Sequence, residues 1–581
     1  MPQDSNDDVS RTRRRGTTPA KVVNKGDQPK KTRRLRLIPL GGVGEVGKNC
    51  LLLEQGSDLV LIDVGVKFPE DELLGIDLII PDLSYVAERV QQLRGIVITH
   101  GHEDHLGALP YVLTQLHSPY PVPVYGSRLV LGMARAKLEE HHALDLCDLQ
   151  EIDFGTKLHL GSIHIEFFPV GHSIPDASGL IIESAFGTIV HTSDFKLGEM
   201  PQEGLDRLRR AGQQGVQLLL SDTVRIESAE PTASEAAVKQ TIRDIIAAAS
   251  GRVIVTTFAS NLARVNSVME VAHDLGRHVA MAGRSMDRNL GIAREEGYIK
   301  VPSDLLVSLD RAEKLPDNQV VLLTTGSQGE PTSALGRMAV GEHRLLRVRQ
   351  GDTIILSSTA IPGNQETVSA TIDNLFRAGA NVFYPPVTPV LHASGHASRR
   401  EIGQMIDLLR PAYAVPMHGE YRMMVLFRQL AGEHGIPADH VLLPEIGRAI
   451  DVTQDGARLG GTVESGAVLV DGLTVGAVDH VVLRDRRALS TDGIMVISAV
   501  MDRATGRLIR SPEILARGFL PAEDGKFLDE AVQKIERALR RGEPGELEYR
   551  IIGDRMKESL AGFVFQRTRL RPMILPVITE V

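Results

Sequence analysis

The sequence predicts an α/β protein of several domains, one of them inserted in the chain of another, and three observations carry that expectation. The chain has 581 residues, too many for one ordinary hydrophobic core, so two to four domains are expected. From Arg36 onward, short apolar strands alternate with glycine-rich turns, whereas from about Asp222 to Tyr384-Pro385-Pro386 helical and strand periods alternate in the βαβ manner of a parallel sheet. The first texture, with its histidines, then returns in "HASGHAS" and "VPMHGEY", as it would if one domain were interrupted by another. The expected division is a disordered basic tail at 1–33, a first domain at 34–222 continued at 387–455, an inserted domain at 223–386, a linker at 456–477 and a C-terminal α+β domain at 478–581.

Taken in order, the tail carries Arg13-Arg14-Arg15 and Lys30-Lys31 with no apolar periodicity, which suits a solubilising leader or an electrostatic arm that gathers RNA. Strands follow in "LRLIPLGGVGEVGKNCLLLE", "DLVLIDVG" and "GIVITH". Gly41-Gly42-Val43-Gly44 lacks the GxGxxG order of a dinucleotide site and reads as a turn passing close to some other site. "SRLVLGMARAKLEEHHAL" has helical spacing, and "FGTKLHLGSIHIEFFPVGH" and "GTIVHTSDF" resume the strands. In the inserted region, "SEAAVKQTIRDIIAAAS" and "NLARVNSVMEVAHDLG" read as helices, and "RVIVTTFAS" and "HVAMAGRS" as strands. The last unit has expected strands in "HVVLRD" and "GIMVISAVMD", a charged helix in "GKFLDEAVQKIERALRRG" and a basic close in "FVFQRTRLRPMILP".

Composition excludes several classes. No apolar run approaches the roughly 18–20 residues of a membrane span, and no apolar segment follows the N-terminal charges as in a secretory signal, so a cytoplasmic protein without a membrane partner is expected. Two cysteines, Cys50 and Cys147, cannot build a disulfide framework or a cysteine-rich zinc site. A net charge of −9 argues against non-specific coating of nucleic acid, though an enzyme acting on a polyanion needs only one basic groove.

The densest chemistry lies in "THGHEDHLGALPY". His100, His102, Asp104 and His105 follow the apolar run Gly95-Ile96-Val97-Ile98, and burying such a cluster is costly unless a bound cation compensates. Histidine and carboxylate ligands suit zinc or manganese, and one ion takes only three or four of them. Further donors recur after strands, at His172 in "VGHS", Asp194 in "TSDF" and His418 in "PMHGE". His100, His102 and His172 can hold one divalent ion and Asp104, His105 and His418 a second, with Asp194 bridging; this surplus suggests a catalytic pair.

HxHxDH with these later His and Asp positions resembles the metallo-β-lactamase fold, an αββα sandwich. The insertion with Asp222, His396 and His418 resembles its β-CASP branch of nucleases. Together with "LGGVGEVGKN", "IDVG", "TTGSQGEP", "HASGHAS" and "MHGEYR", the arrangement from about residue 35 to the end is similar to the ribonuclease J family. The resemblance implies the seven ligands named above, two Zn²⁺ or Mn²⁺ ions, and Asp63 in "LIDVG" as the residue that orients ligands from behind. It also implies Asp104, Asp222 and His396 as catalytic side chains, with His396 giving the leaving 3′-oxygen its proton while Asp222 tunes it. Asp222 could alternatively cap a helix after its strand.

A 5′-phosphate of RNA is expected at Ser260 and Asn261 in "FASNLARV", Arg284 and Ser285 in "GRS", and His392, Ser394, Gly395 and His396 in "HASGHAS". The implied function is 5′-to-3′ exonuclease cleavage of 5′-monophosphorylated single-stranded RNA plus endonuclease cleavage, serving RNA maturation and mRNA decay. The last domain would make a homodimer or homotetramer, and proteins of an RNA-degradation complex are expected partners. A β-CASP nuclease acting on DNA and a non-catalytic scaffold subunit are the competing readings; full retention of the seven donors disfavours the scaffold. A hydrolase of thioesters, lactones or β-lactams would lack the insertion.

Overall fold

Alternation of buried side chains builds the first sheet. In the computed structural model, which describes residues 34–581 except 71, 362–363, 473, 479, 504, 506, 519–524 and 541–548, Leu35 and Leu37 face one core while Ile38 and Leu40 face another. The expected tail at 1–33 lies outside the described residues. Cys50–Gln55 and Asp58–Ile62 repeat the pattern, with Leu51, Leu53, Val60 and Ile62 on one side and Cys50, Leu52, Leu59 and Leu61 on the other. Strands apolar on both faces must be covered on both.

Among the described residues this sheet has eight strands, in the spatial order Gly456–Thr462, Arg448–Thr453, Leu35–Gly41, Cys50–Gln55, Asp58–Ile62, Leu93–Val97, Val122–Gly126 and Cys147–Glu151. A second sheet of six runs Tyr413–Met417, Leu218–Asp222, Gly187–His191, Ser178–Ser184, Ile163–Pro169 and Lys157–Leu160. Leu37, Leu53 and Val60 of the first meet Ile165, Phe167, Leu180 and Leu220 of the second in one core. Helices Leu109–Leu116 and Arg128–Glu140 cover the outer face of the first sheet, and Gln202–Gln214 and Arg399–Leu409 that of the second, giving an αββα sandwich.

Leu218–Asp222 and Tyr413–Met417 pair in parallel, Leu218 with Tyr413 and Asp222 with Met417, so the intervening chain is an insertion between adjacent strands. Its own parallel sheet runs His278–Ala282, Val320–Thr324, Val253–Thr256, Thr353–Leu356 and Asn381–Phe383. Val238, Ile242 and Val265 of its helices share one core with Ile402 and Met405 of the sandwich, so the insertion is seated on apolar surface. In the C-terminal unit Ile494–Met501 lies between Glu513–Arg517 and Met573–Glu580, with helices Gly525–Arg540 and Tyr549–Thr568 over one face.

Two expectations are corrected. Residues 456–477 are no linker: Gly456–Thr462 is the edge strand of the eight-stranded sheet and Ala467–Asp471 pairs with Leu78–Pro81. Glycines at 460, 461, 466 and 472 obscure the apolar residues of these strands in the sequence. "HVVLRD" opens a helix, His480–Asp492, because a three-residue apolar run does not distinguish strand from helix.

Candidate metal centre

The histidine loop is held by the strand ends beside it. Asn49 N–H donates to Asp104 O at 3.0 Å, Val64 N–H to His105 O at 2.8 Å and Val66 N–H to Glu103 O at 3.0 Å. Gly65 passes so close that a Cβ there would lie 1.6 Å from Asp104 O, which accounts for the glycine of "IDVG". Gly42 O accepts from His418 N–H at 2.6 Å, tying "LGGVG" to "PMHGE".

The seven expected ligands meet in two groups that share Asp194: His100, His102, His172 and Asp194, and Asp104, His105, Asp194 and His418. His172 Nε2 is 3.1 Å from His102 Nδ1, and Asp194 Oδ2 is 3.6 Å from His100 Nε2 and 3.3 Å from His105 Nε2. Asp194 Oδ1 accepts from His418 Nδ1 at 2.9 Å. Behind them, Asp63 accepts from Thr99 N–H and Oγ1 at 2.8 Å and from His105 Nδ1 at 2.7 Å, which leaves His105 Nε2 for the cluster.

The donor set fits divalent cations. His100 Nε2 is buried without a hydrogen-bond partner, and His418 Nε2 stands 3.1 Å from Asp104 Oδ2 but off the line a hydrogen bond needs. Burial drives His100 well below the usual imidazole range, His102 to about 3 and His172 to about 4, so these rings are neutral and offer lone pairs. Burial presses on His105 and His418 too, yet Asp194, Asp63 and Asp104 lift His105 well above its usual value, and Asp194 and Asp104 lift His418 to about 10. Burial would raise Asp104 and Asp194, but the facing imidazoliums hold both well below the carboxylate range. Positive charge is therefore what this site attracts, and protons supply it when ions do not.

Beside the cluster, His396 Nδ1 lies 2.9 Å from Asp222 Oδ2. Asp222 Oδ1 also accepts from Val224 N–H, so the residue serves a turn and the imidazole at once. Burial lowers the His396 value, but Asp222 and then Asp194 outweigh it and hold the ring protonated above its ordinary range. Asp194, Asp222, His396 and His418 form a third group of possible ligands.

The residues expected at a phosphate fall into linked segments. Asn261 is buried and its side chain accepts from Arg264 N–H, so it caps helix Leu262–Asp274 and its side-chain oxygen is committed there. His392 is lowered to about 4 by burial and then Arg264, so at neutral pH it carries no charge for an anion. Gly395 presents its carbonyl to His172 Nδ1 at 2.8 Å, and a Cβ there would lie 2.6 Å from that ring. Ser394 Oγ accepts from His396 N–H, and Arg284 and Ser285 are exposed at the start of helix Arg284–Glu295. Asn289 of that helix donates to Ala259 O, joining it to the loop of Ser260.

Sequence reasoning missed Arg264, fully buried, which pairs with Glu235 and donates to Leu391 O at 3.1 Å, fixing the chain just before His392. It also missed Arg225, whose Nη1 reaches His396 O at 3.5 Å. An arginine carries no signal of such a role until its distant partners are known.

Fold and site define a metallo-hydrolase of the β-lactamase superfamily with an inserted β-CASP domain. Residues 60–257 match the beta-lactamase superfamily domain, 250–375 the ribonuclease J beta-CASP domain, 386–442 the Zn-dependent metallo-hydrolase RNA specificity domain and 481–581 the ribonuclease J C-terminal domain. Ribonuclease J2 of Bacillus subtilis (strain 168) is 38% identical over 558 residues, 95% of this chain and 100% of that protein. Ribonuclease J 2 of Staphylococcus aureus (strain MRSA252) is 35% identical, covering 95% and 99%. A solved Enterococcus faecalis V583 protein of unknown function, 16% identical, superposes with a TM-score of 0.52 over 72% of this chain and 100% of that one, a likeness of fold. The chain belongs to the ribonuclease J family. No described helix is long and apolar enough to cross a membrane.

Proposed function

We propose that this chain hydrolyses single-stranded RNA, progressively from a 5′-monophosphate end in the 5′-to-3′ direction and also internally. The observation that carries the proposal is the sharing of Asp194 by both ligand groups, with the Asp222–His396 pair alongside. His100, His102, His172 and Asp194 would hold one ion, and Asp104, His105, Asp194 and His418 the other. Zn²⁺ or Mn²⁺ bound there would activate water at neutral pH and stabilise charge on the phosphoryl oxygens.

The chain's own groups do the rest. His396, held protonated with Nδ1 on Asp222, has Nε2 free to protonate the leaving 3′-oxygen. Ser260, Ser394, Arg284 and Ser285 receive the 5′-phosphate. RNA maturation and mRNA decay in the cytoplasm are the corresponding roles, with RNA-degradation proteins as partners. Homodimers or homotetramers form through the C-terminal unit, where Leu515, Leu575 and Val577 are exposed on its sheet.

Incubation of matched end-labelled RNA and DNA with metal-stripped and zinc- or manganese-loaded protein tests this function. Metal-restored cleavage of RNA is expected. Absence of cleavage, or equal cleavage of DNA, would overturn it.

A further inference from the structure

His172 sits on the loop between Pro169 and Ser178, and the loop is gripped from two sides by chain that lies far away in sequence. Its base is closed by Val170 N–H on Ala177 O at 3.0 Å and by Ser178, whose N–H and Oγ both donate to Thr99 O, at 3.0 and 2.7 Å. On one side His172 Nδ1 donates to Gly395 O. On the other, Asp176 takes a left-handed conformation, φ 62°, which aspartate adopts more readily than most other non-glycine residues.

Two hydroxyls bind Asp176: Ser127 Oγ donates to its carbonyl at 3.2 Å, and the Tyr298 phenol donates to its carboxylate. Tyr298 belongs to the insertion, 122 residues from Asp176, in the turn that ends helix Arg284–Glu295, with its N–H on Ala293 O at 2.8 Å. That helix packs on Arg128–Glu140 closely enough that a Cβ on Gly132 would lie 2.9 Å from Ile292 Cγ2. Its opposite end carries Arg284 and Ser285.

We propose that the Tyr298–Asp176 hydrogen bond is a positioning contact through which the seat of the inserted domain fixes His172 and so sets the affinity of the ion held by His100, His102, His172 and Asp194. This rests on the reading that those four side chains bind a divalent ion. Tyr298 touches no ligand. It acts through the loop, as residues behind a metal site commonly do, where their loss costs about 10–100-fold in metal affinity.

Calorimetric titration of the metal-stripped full chain with Zn²⁺ provides the test. The wild-type chain should take up two ions. Tyr298→Phe and Asp176→Ala should each weaken one of them by about tenfold or more and leave the other unchanged. The double variant should be no weaker than either single one, because both remove the same bond. Asp176→Asn, which retains a carbonyl acceptor, should stay near wild type. Unchanged affinities in Tyr298→Phe beside a wild type that binds two ions would overturn this proposal alone, as would equal weakening of both ions. A wild-type chain that takes up no zinc would overturn the metal reading and this proposal with it.

Discussion

Asp222 Oδ2 stands 2.9 Å from His396 Nδ1 across 174 residues of chain, because the strand ending at Asp222 pairs with Tyr413–Met417 and brings the two ends of the insertion together. His396→Ala should lower kcat about 10²–10⁴-fold, the range for loss of a positioned proton donor. Asp222 is the largest influence raising His396, so Asp222→Asn should lower the pH at which the donor deprotonates. The alkaline limb of the kcat profile, where the proton is lost, should move to lower pH. A limb that stays in place would separate Asp222 from proton transfer.

His105 and His418 are protonated at neutral pH in the metal-free protein, so ion uptake must displace protons. Their folded values are raised, so the competing protons are fully bound below about 6.5 and lost as pH rises, for His418 through about 10. Metal affinity should therefore climb with pH over that window. Calorimetry in two buffers of different ionisation enthalpy should report proton release on binding; equal heats would contradict the assignment.

Asp63→Asn leaves His105 Nδ1 without its carboxylate and should weaken metal binding about 10–100-fold while the fold survives. Metal analysis after dialysis checks it, and full retention of both ions would show Asp63 to be dispensable.

Gly395→Ala would push a methyl against the His172 ring, at 2.6 Å from Nδ1. Loss of one ion is the expected outcome, read by metal analysis together with a melting curve close to wild type.

The ligand loop was legible because its four donors crowd into six positions after an apolar run, a pattern with few explanations other than a metal. The insertion was legible from the change of hydrophobic period. The cap that Asn261 makes was not legible, because an amide at a helix start looks the same whether it caps the helix or faces an anion. The protonation state of His392 was not legible, because it depends on burial and on Arg264, which only the fold brings near. The Tyr298–Asp176 contact left no sequence signal, since neither residue belongs to a motif that names its partner.

The central claim, that a phosphate pocket feeds RNA ends to a paired-ion centre, is tested most directly by following release of nucleoside 5′-monophosphates from otherwise identical RNAs bearing 5′-monophosphate or 5′-triphosphate ends. The account predicts progressive release from the monophosphate end. A triphosphate should block it, its extra charge exceeding what three hydroxyls and one guanidinium can satisfy, while slow internal cutting persists. Ser394→Ala or Ser260→Ala should erode the preference, each lost hydrogen bond to the charged phosphate being worth about 1.5–3 kcal/mol. Equal rates on the two ends in the wild-type protein would contradict the account.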